Sequence, residues 1–121
     1  MAVVFVDDGE EYLVDLMDGT STALARFIAW GTGAGVAAKT DAALTTEGPE
    51  LRATGTQTQV TPNEMKAVGT ITATGARTVI EAGLFDIVTA SSGTLIVRTD
   101  HGSQVLAIND AIEYTFTLTF A

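Results

Sequence analysis

Threonine recurs at every second position in three separate stretches of the chain: Thr54, Thr56 and Thr58; Thr70, Thr72 and Thr74; and Thr115, Thr117 and Thr119. In the last stretch the partners are Tyr114, Phe116, Leu118 and Phe120. A period of two puts alternate side chains on opposite faces of a strand, so each stretch predicts a β-strand with one face in a core and one in water. Threonine suits the wet face, because its branched Cβ favours extended backbone and its hydroxyl can stay hydrated. It supplies no strong acid, base or ligand. The pattern predicts an all-β, antiparallel domain and is silent on chemistry.

A chain of 121 residues is expected to form one structural body that buries roughly two-thirds of the surface its unfolded form exposes. Cysteine is absent, which excludes thiol catalysis, zinc–thiolate sites and disulfides and fits folding in a reducing compartment. No segment approaches the ~20 apolar residues of a membrane span, and the start of the chain has no basic leader, so a soluble, unexported protein is expected. The net charge of −9 repels phosphate backbones and anionic membranes, so neither nucleic acid nor membrane is an expected partner. Six of the acids, Asp7, Asp8, Glu10, Glu11, Asp15 and Asp18, precede the first base, Arg26. The beginning of the chain is therefore electrostatically distinct, and the chain divides into an N-terminal arm and short amphipathic helix (1–20) and a β-sandwich domain (21–121).

Within the first part, Ala2 to Val6 reads as an extended arm. Asp8 with Glu11 three residues later resembles a capping box, and Gly19 is placed to stop the helix. Tyr12, Leu13, Leu16 and Met17 share one helical face. Beyond it, Thr22 to Trp30 has strand composition and runs into Gly31-Thr32-Gly33-Ala34-Gly35, with one helical turn expected near Asp41 to Leu44. Further strands are expected at Leu51 to Val60, Val68 to Thr74, Thr78 to Val88, Thr94 to Thr99, Gln104 to Ile108 and Ile112 to Phe120. Pro62-Asn63, Ser91-Ser92-Gly93 and Asp100-His101-Gly102 read as turns, and Gly75-Ala76 reads as a hairpin link. About seven short strands imply an antiparallel β-sandwich or jelly-roll-like domain, with the aromatic last strand at its centre.

The residues that could carry chemistry have simpler readings. His101 is the single histidine, and its neighbours Asp100 and Ser103 are too close in sequence to converge with it as a triad. The glycine run lacks the spacing and the lysine of a phosphate loop. The Asp7–Glu11 acids lack the alternation of a calcium loop and read as a solvated helix start. Trp30 reads as a core anchor beneath the glycine bend. Glu81, inside an apolar run, is expected to be paired with Arg77, Arg98 or Arg52, because a lone buried carboxylate is costly. No catalytic, metal-binding or cofactor-binding residue is expected, and an enzyme is not.

Four segments in order carry a family resemblance: Ile28-Ala29-Trp30-Gly31-Thr32-Gly33, Thr40 to Glu47, Arg52 to Thr58, and Val79-Ile80-Glu81-Ala82-Gly83-Leu84-Phe85-Asp86. With Leu95-Ile96-Val97-Arg98 and the closing alternating strand, they resemble small virion structural proteins of tailed bacteriophages, over roughly residues 10 to 120. The plan, with its Glu-x-Gly-Leu-Phe-Asp segment at Glu81 to Asp86, also resembles the N-terminal region of some phage tail-fibre proteins. The resemblance implies a structural role without catalytic residues. A fibre would continue into a shaft, whereas this chain stops after its β-domain, and an acidic domain would be repelled by packaged DNA. Both favour a capsid decoration (cement) protein, made in the host cytoplasm and bound to the outer surface of the major capsid protein lattice. The alternative is a tail component, a collar or fibre-base adaptor. Self-association is also expected, a trimer first, because capsid lattices offer many threefold positions. The segment least explained by a β core supplies the candidate contact residues: Val4, Phe5, Asp7, Asp8, Glu10, Glu11 and Tyr12.

Overall fold

The computed structural model describes residues 2–120; Met1 and Ala121, the outer limits of the two-part division, lie outside them. All three threonine stretches behave as the alternation predicts, with every one of the named threonines exposed. The elements are β1 (Ala2–Phe5), α1 (Asp7–Asp18), β2 (Phe27–Gly31), β3 (Ala53–Thr54), β4 (Thr56–Thr61), β5 (Glu64–Thr72), β6 (Arg77–Phe85), β7 (Leu95–Leu106) and β8 (Ala111–Thr119). They form a five-stranded sheet, β1-β7-β6-β2-β3, and a three-stranded sheet, β4-β5-β8. Every pairing is antiparallel. The molecule is an all-β sandwich with one short helix.

The main core lies between the sheets. Ile28, Trp30, Ala82, Leu84 and Val97 of the larger sheet meet Ala67, Ile71 and Phe116 of the smaller one. Tyr12 joins this cluster from α1, and Leu13 and Leu16 pack against it. A second cluster of Val6, Ala29, Leu44, Phe85 and Leu95 is built partly from the long 32–50 segment. That segment covers residues which a two-layer sandwich would otherwise leave wet, and this is why β2 is buried at four consecutive positions, Ile28 to Gly31.

Several connections differ from their sequence reading, each for a local reason. Gly75-Ala76 does not close a hairpin: β5 and β6 belong to different sheets. The Ala73 backbone is taken by Asp110 and Asn109 (2.7 and 2.9 Å) and the Thr74 N–H by Glu50 (3.1 Å), so the chain crosses between layers there. The stretch 51–60 is two strands, because at Gly55 the chain leaves the larger sheet for the smaller. A Cβ at Gly55 would lie 2.8 Å from the Arg26 carbonyl, a contact only glycine avoids. Asp100-His101-Gly102 is not a turn but a bulge inside the twelve-residue β7. Val79 pairs with Gln104 and Glu81 with Asp100, so residues 101–103 face Ile80 alone. No helical turn forms at 41–44, where the chain is irregular, and strand structure before Trp30 begins only at Phe27.

The arm is β1, hydrogen-bonded along β7. Its pairing sets the start of α1: Val6 donates to the Ile96 carbonyl (3.1 Å) and Asp7 to that of Lys39 (2.8 Å). The helix therefore starts at Asp7 with Val6 as a cap that makes no side-chain hydrogen bond, and the Asp8–Glu11 capping box does not operate. Gly19 ends the helix in the left-handed region, φ 82°, where glycine is favoured. The aromatic strand β8 is an edge rather than a centre, because β4 occupies the other side of β5 through the Pro62-Asn63 hairpin. Its alternation still holds: Phe116 is buried, Ile112, Tyr114 and Leu118 are half-buried, and the residues between are exposed.

α1 docks through Gly9, whose missing side chain admits the β7 backbone. A Cβ there would overlap the Ile96 carbonyl oxygen and lie 2.9 Å from its Cα. Gly9→Ala is expected to destabilise the fold by about 1–3 kcal/mol through overpacking, despite alanine's higher helix propensity. Urea unfolding checks this: a Gly9→Ala midpoint equal to or above wild type would contradict the docking geometry.

Candidate interaction surface

The motifs that stand out in the sequence converge on one buried polar cluster. Glu81 on β6 is fully buried. Its carboxylate accepts hydrogen bonds from the backbone N–H groups of Gly33 (2.9 Å), Thr45 (2.8 Å) and Thr46 (2.8 Å). Arg98, diagonal to it on β7 (Asp100 is the residue opposite Glu81) and 2% exposed, donates to it from Nη2 at 3.0 Å. The other guanidinium nitrogen, Nη1, reaches Asp41 at 2.9 Å. A buried charge is tolerable when paired and fully hydrogen-bonded. Gly31 and Gly33 are the condition for this approach, since a Cβ at either would lie within 2.7 Å of Glu81 Oε2. The glycine run is thus a carboxylate cradle made by the protein for its own glutamate.

Two further clusters fix the same loop. Arg52 is clamped by both oxygens of Glu47 (3.0 and 2.9 Å) and by the carbonyls of Ile87 and Ser92, with its guanidinium 3.6 Å above the Phe85 ring centroid. Glu50 accepts from Trp30 Nε1 (2.8 Å) and from the Thr74 N–H and hydroxyl (3.1 and 2.7 Å). Burial alone would raise the Glu50 pKa, but the hydrogen bonds from Trp30 and Thr74 outweigh it and hold the carboxyl at about 2, against an ordinary 4.5. The expected pairing of Glu81 with Arg98 is present, and Trp30 is a core residue, 1% exposed.

The candidate contact residues fall in different surroundings. Tyr12 is buried, and its hydroxyl donates to the Ala23 carbonyl at 2.5 Å. Val4 packs against the second core cluster and Phe5 against the first. Asp7 and Glu10 face Lys39, which also donates to the Phe5 carbonyl. Asp8 and Glu11 line a polar depression with Asp15 and Asp86. Among the described residues no group of His, Asp and Glu is arranged to hold a metal ion. His101 bridges the sheets: its Nδ1 is 2.8 Å from the Gly102 carbonyl and its Nε2 2.9 Å from the Tyr114 hydroxyl. A carbonyl requires a donor, so Nδ1 carries a proton, and Nε2 and the Tyr114 hydroxyl share the second hydrogen bond.

The surface that is not internally satisfied lies along the seam between β1 and β8. A groove of about 480 Å³ is lined by Val3, Val97 and Thr99 on one side and by Ile112, Tyr114 and Phe116 on the other. It continues past Phe5 and Leu118 to Phe120, which also borders a depression formed by Leu13, Leu16 and Met17 of α1. Val3 is 60%, Met17 80% and Phe120 47% exposed. Contiguous exposed apolar surface of this kind marks interaction sites.

The four sheet edges differ in how they are protected. β3 has two residues and β1 four, with one β1 carbonyl taken by Lys39. β4 changes register at its end and runs into Pro62. β8 is a nine-residue edge with no proline, no lysine and one charge, Glu113. Sequence reading missed this surface because it placed β8 at the centre of the domain; the low charge of the strand was the available signal. Comparison with family models, with characterised proteins and with solved structures gives no match.

Replacing Glu81 by Gln removes the charge that compensates Arg98, and a loss of about 3–5 kcal/mol is expected, read as a lowered urea midpoint; a variant within experimental error of wild type would contradict the cradle. Glu50 gives a pH dependence. Its folded pKa lies below its unfolded value, so its contribution is complete above pH 4.5 and is lost as pH falls through about 2. A tenfold difference in proton affinity between the folded and unfolded chain is worth roughly 1–2 kcal/mol of stability. Wild type should therefore lose more stability than Glu50→Gln between those two pH values; parallel urea midpoints for the two proteins would contradict it.

Proposed function

We propose that this chain is a virion structural protein of a tailed bacteriophage, a decoration (cement) protein bound to the outer surface of the major capsid protein lattice. The observation that carries the reading is the exposed apolar seam between two open sheet edges, beside an acidic helix. This surface fits burial against protein. The segments on which the phage resemblance rests support the same class of role. Trp30 to Gly33, Thr45 to Glu47, Arg52, Glu81 and Arg98 are engaged with one another in pinning a long loop to a sheet, which stiffens the domain and leaves its outer faces to a partner.

The charge argues for the outside of a shell. A net charge of −9 is repelled by packaged DNA and favours basic protein surface. No helix among the described residues is long and apolar enough to cross a membrane. Cementing then works by repetition: each copy buries a modest area, and many copies bridging neighbouring subunits raise particle stability together.

Labelling the protein in purified particles tests the reading. Copies in the hundreds over the head are expected, on the order of one per few lattice subunits. Particles lacking the protein should release DNA at lower temperature. A small fixed number of copies confined to the tail would replace this reading with that of a collar or fibre-base adaptor, and unchanged heat resistance of depleted particles would remove the cementing role.

A further inference from the structure

We infer that β8 is a self-recognition edge, pairing antiparallel with β8 of a second copy about a twofold axis at Thr115. The inference goes beyond lattice binding and does not rest on it.

The free side of β8 is defined by its hydrogen bonds. At its two ends, Asp110 accepts from Ala73 (2.7 Å) and Phe120 donates to Asn63 (2.9 Å), and the register between these points is unbroken from Thr72↔Ala111 to Glu64↔Thr119. Antiparallel pairing alternates, so even-numbered residues bond to β5. The N–H and C=O groups of Glu113, Thr115 and Thr117 therefore point to the open side. Of the four edges this is the longest and the one without a blunting device, and natural proteins rarely leave such an edge uncovered.

Charge selects a second copy in a definite register. Apolar side chains of both copies share the inner face only when the paired residue numbers have an even sum. Pairing Ala111 with Thr119 overlaps all nine residues and puts Glu113 opposite Thr117 of the second copy. Thr117 is the cross-strand neighbour of Lys66. Each such row then holds Lys66, a short threonine, and Glu113 of the second copy, with the two charged residues about 10 Å apart at their Cα atoms. Long side chains close that gap over the threonine. Sliding one pleat in one direction puts Glu113 in the row of Glu64, a like charge; in the other direction it lies beside Val68. Both slides lose overlap. The twofold repeats the favourable pair, as a self-complementary interface requires.

The same placement covers the groove. Tyr114, Phe116 and Leu118 of the second copy extend the inner row past the edge, over Val3 and Val97, which line the opposite wall. Two three-stranded sheets become one of six strands, with the threonine face continuous and wet.

Sedimentation velocity of the full chain between about 1 µM and 1 mM tests the inference. A concentration-dependent dimer is expected. Thr115→Pro removes an N–H that faces the open side, a position where an edge strand accepts proline, and should weaken the dimer at least roughly tenfold. Lys66→Glu and Glu113→Lys should each weaken it roughly fivefold to tenfold, and the double exchange should restore it. Circular dichroism identifies any variant that fails to fold, and the charge exchange then carries the test. A monomer over the whole range overturns the inference, as does a dimer indifferent to these changes. If the chain is monomeric and Thr115→Pro instead abolishes particle binding, the edge belongs to the lattice protein.

Discussion

The buried carboxylate of Glu81 is the interaction on which the architecture depends. A two-layer sandwich has one inner face per sheet, yet the larger sheet here is dry on both sides of β2 and β6. The 32–50 segment that dries the second side has little regular structure, so its backbone donors need partners from elsewhere. Glu81 supplies them for Gly33, Thr45 and Thr46 at once, and Arg98 balances the charge. The apolar part of the loop, Leu44, is then delivered onto Phe85 and Leu95. An apolar residue at position 81 would fill the space but leave those N–H groups unsatisfied. The polar centre and the second hydrophobic cluster are parts of one solution.

Arg52 and Glu50 extend the same logic to the rim of the loop. Each fixes a connection: Arg52 ties Glu47 to the 87–92 turn between β6 and β7 of the larger sheet, and Glu50 ties Trp30 to the 73–76 crossover between the sheets. With the interior polar groups committed in this way, the chain's capacity for recognition is concentrated at its margins. The seam between β1 and β8 is the margin where apolar side chains and unpaired backbone groups coincide.

The fold class was legible in the threonine alternation because a period of two survives any rearrangement of strand order. The pairing of Glu81 was legible because a carboxylate in an apolar run has few stable alternatives, and Trp30 was legible as core by its place beside a tight bend. Strand order was not. Gly75-Ala76 has hairpin chemistry, but whether two strands pair or part depends on competitors far away in sequence, here Asn109, Asp110 and Glu50. The bulge at His101 carries Gly and His, residues that also make turns, and only resumed pairing with β6 separates the two. The interaction seam was hidden for the same reason: β1 and β8 lie at opposite ends of the described chain, and no local pattern reports that they face each other.

The place of β8 in chain order has a consequence for biosynthesis. During translation, every other described strand emerges before it, and chains fold largely as complete units once their long-range partners exist. Until β8 arrives, β5 presents Met65, Ala67 and Ile71 with one flank open, and the inter-sheet cluster lacks Phe116. The nascent protein is therefore held short of its native core until β8 emerges. Neighbouring copies that meet at that stage offer one another the same nine-residue edge, so exchange of strands competes with correct closure.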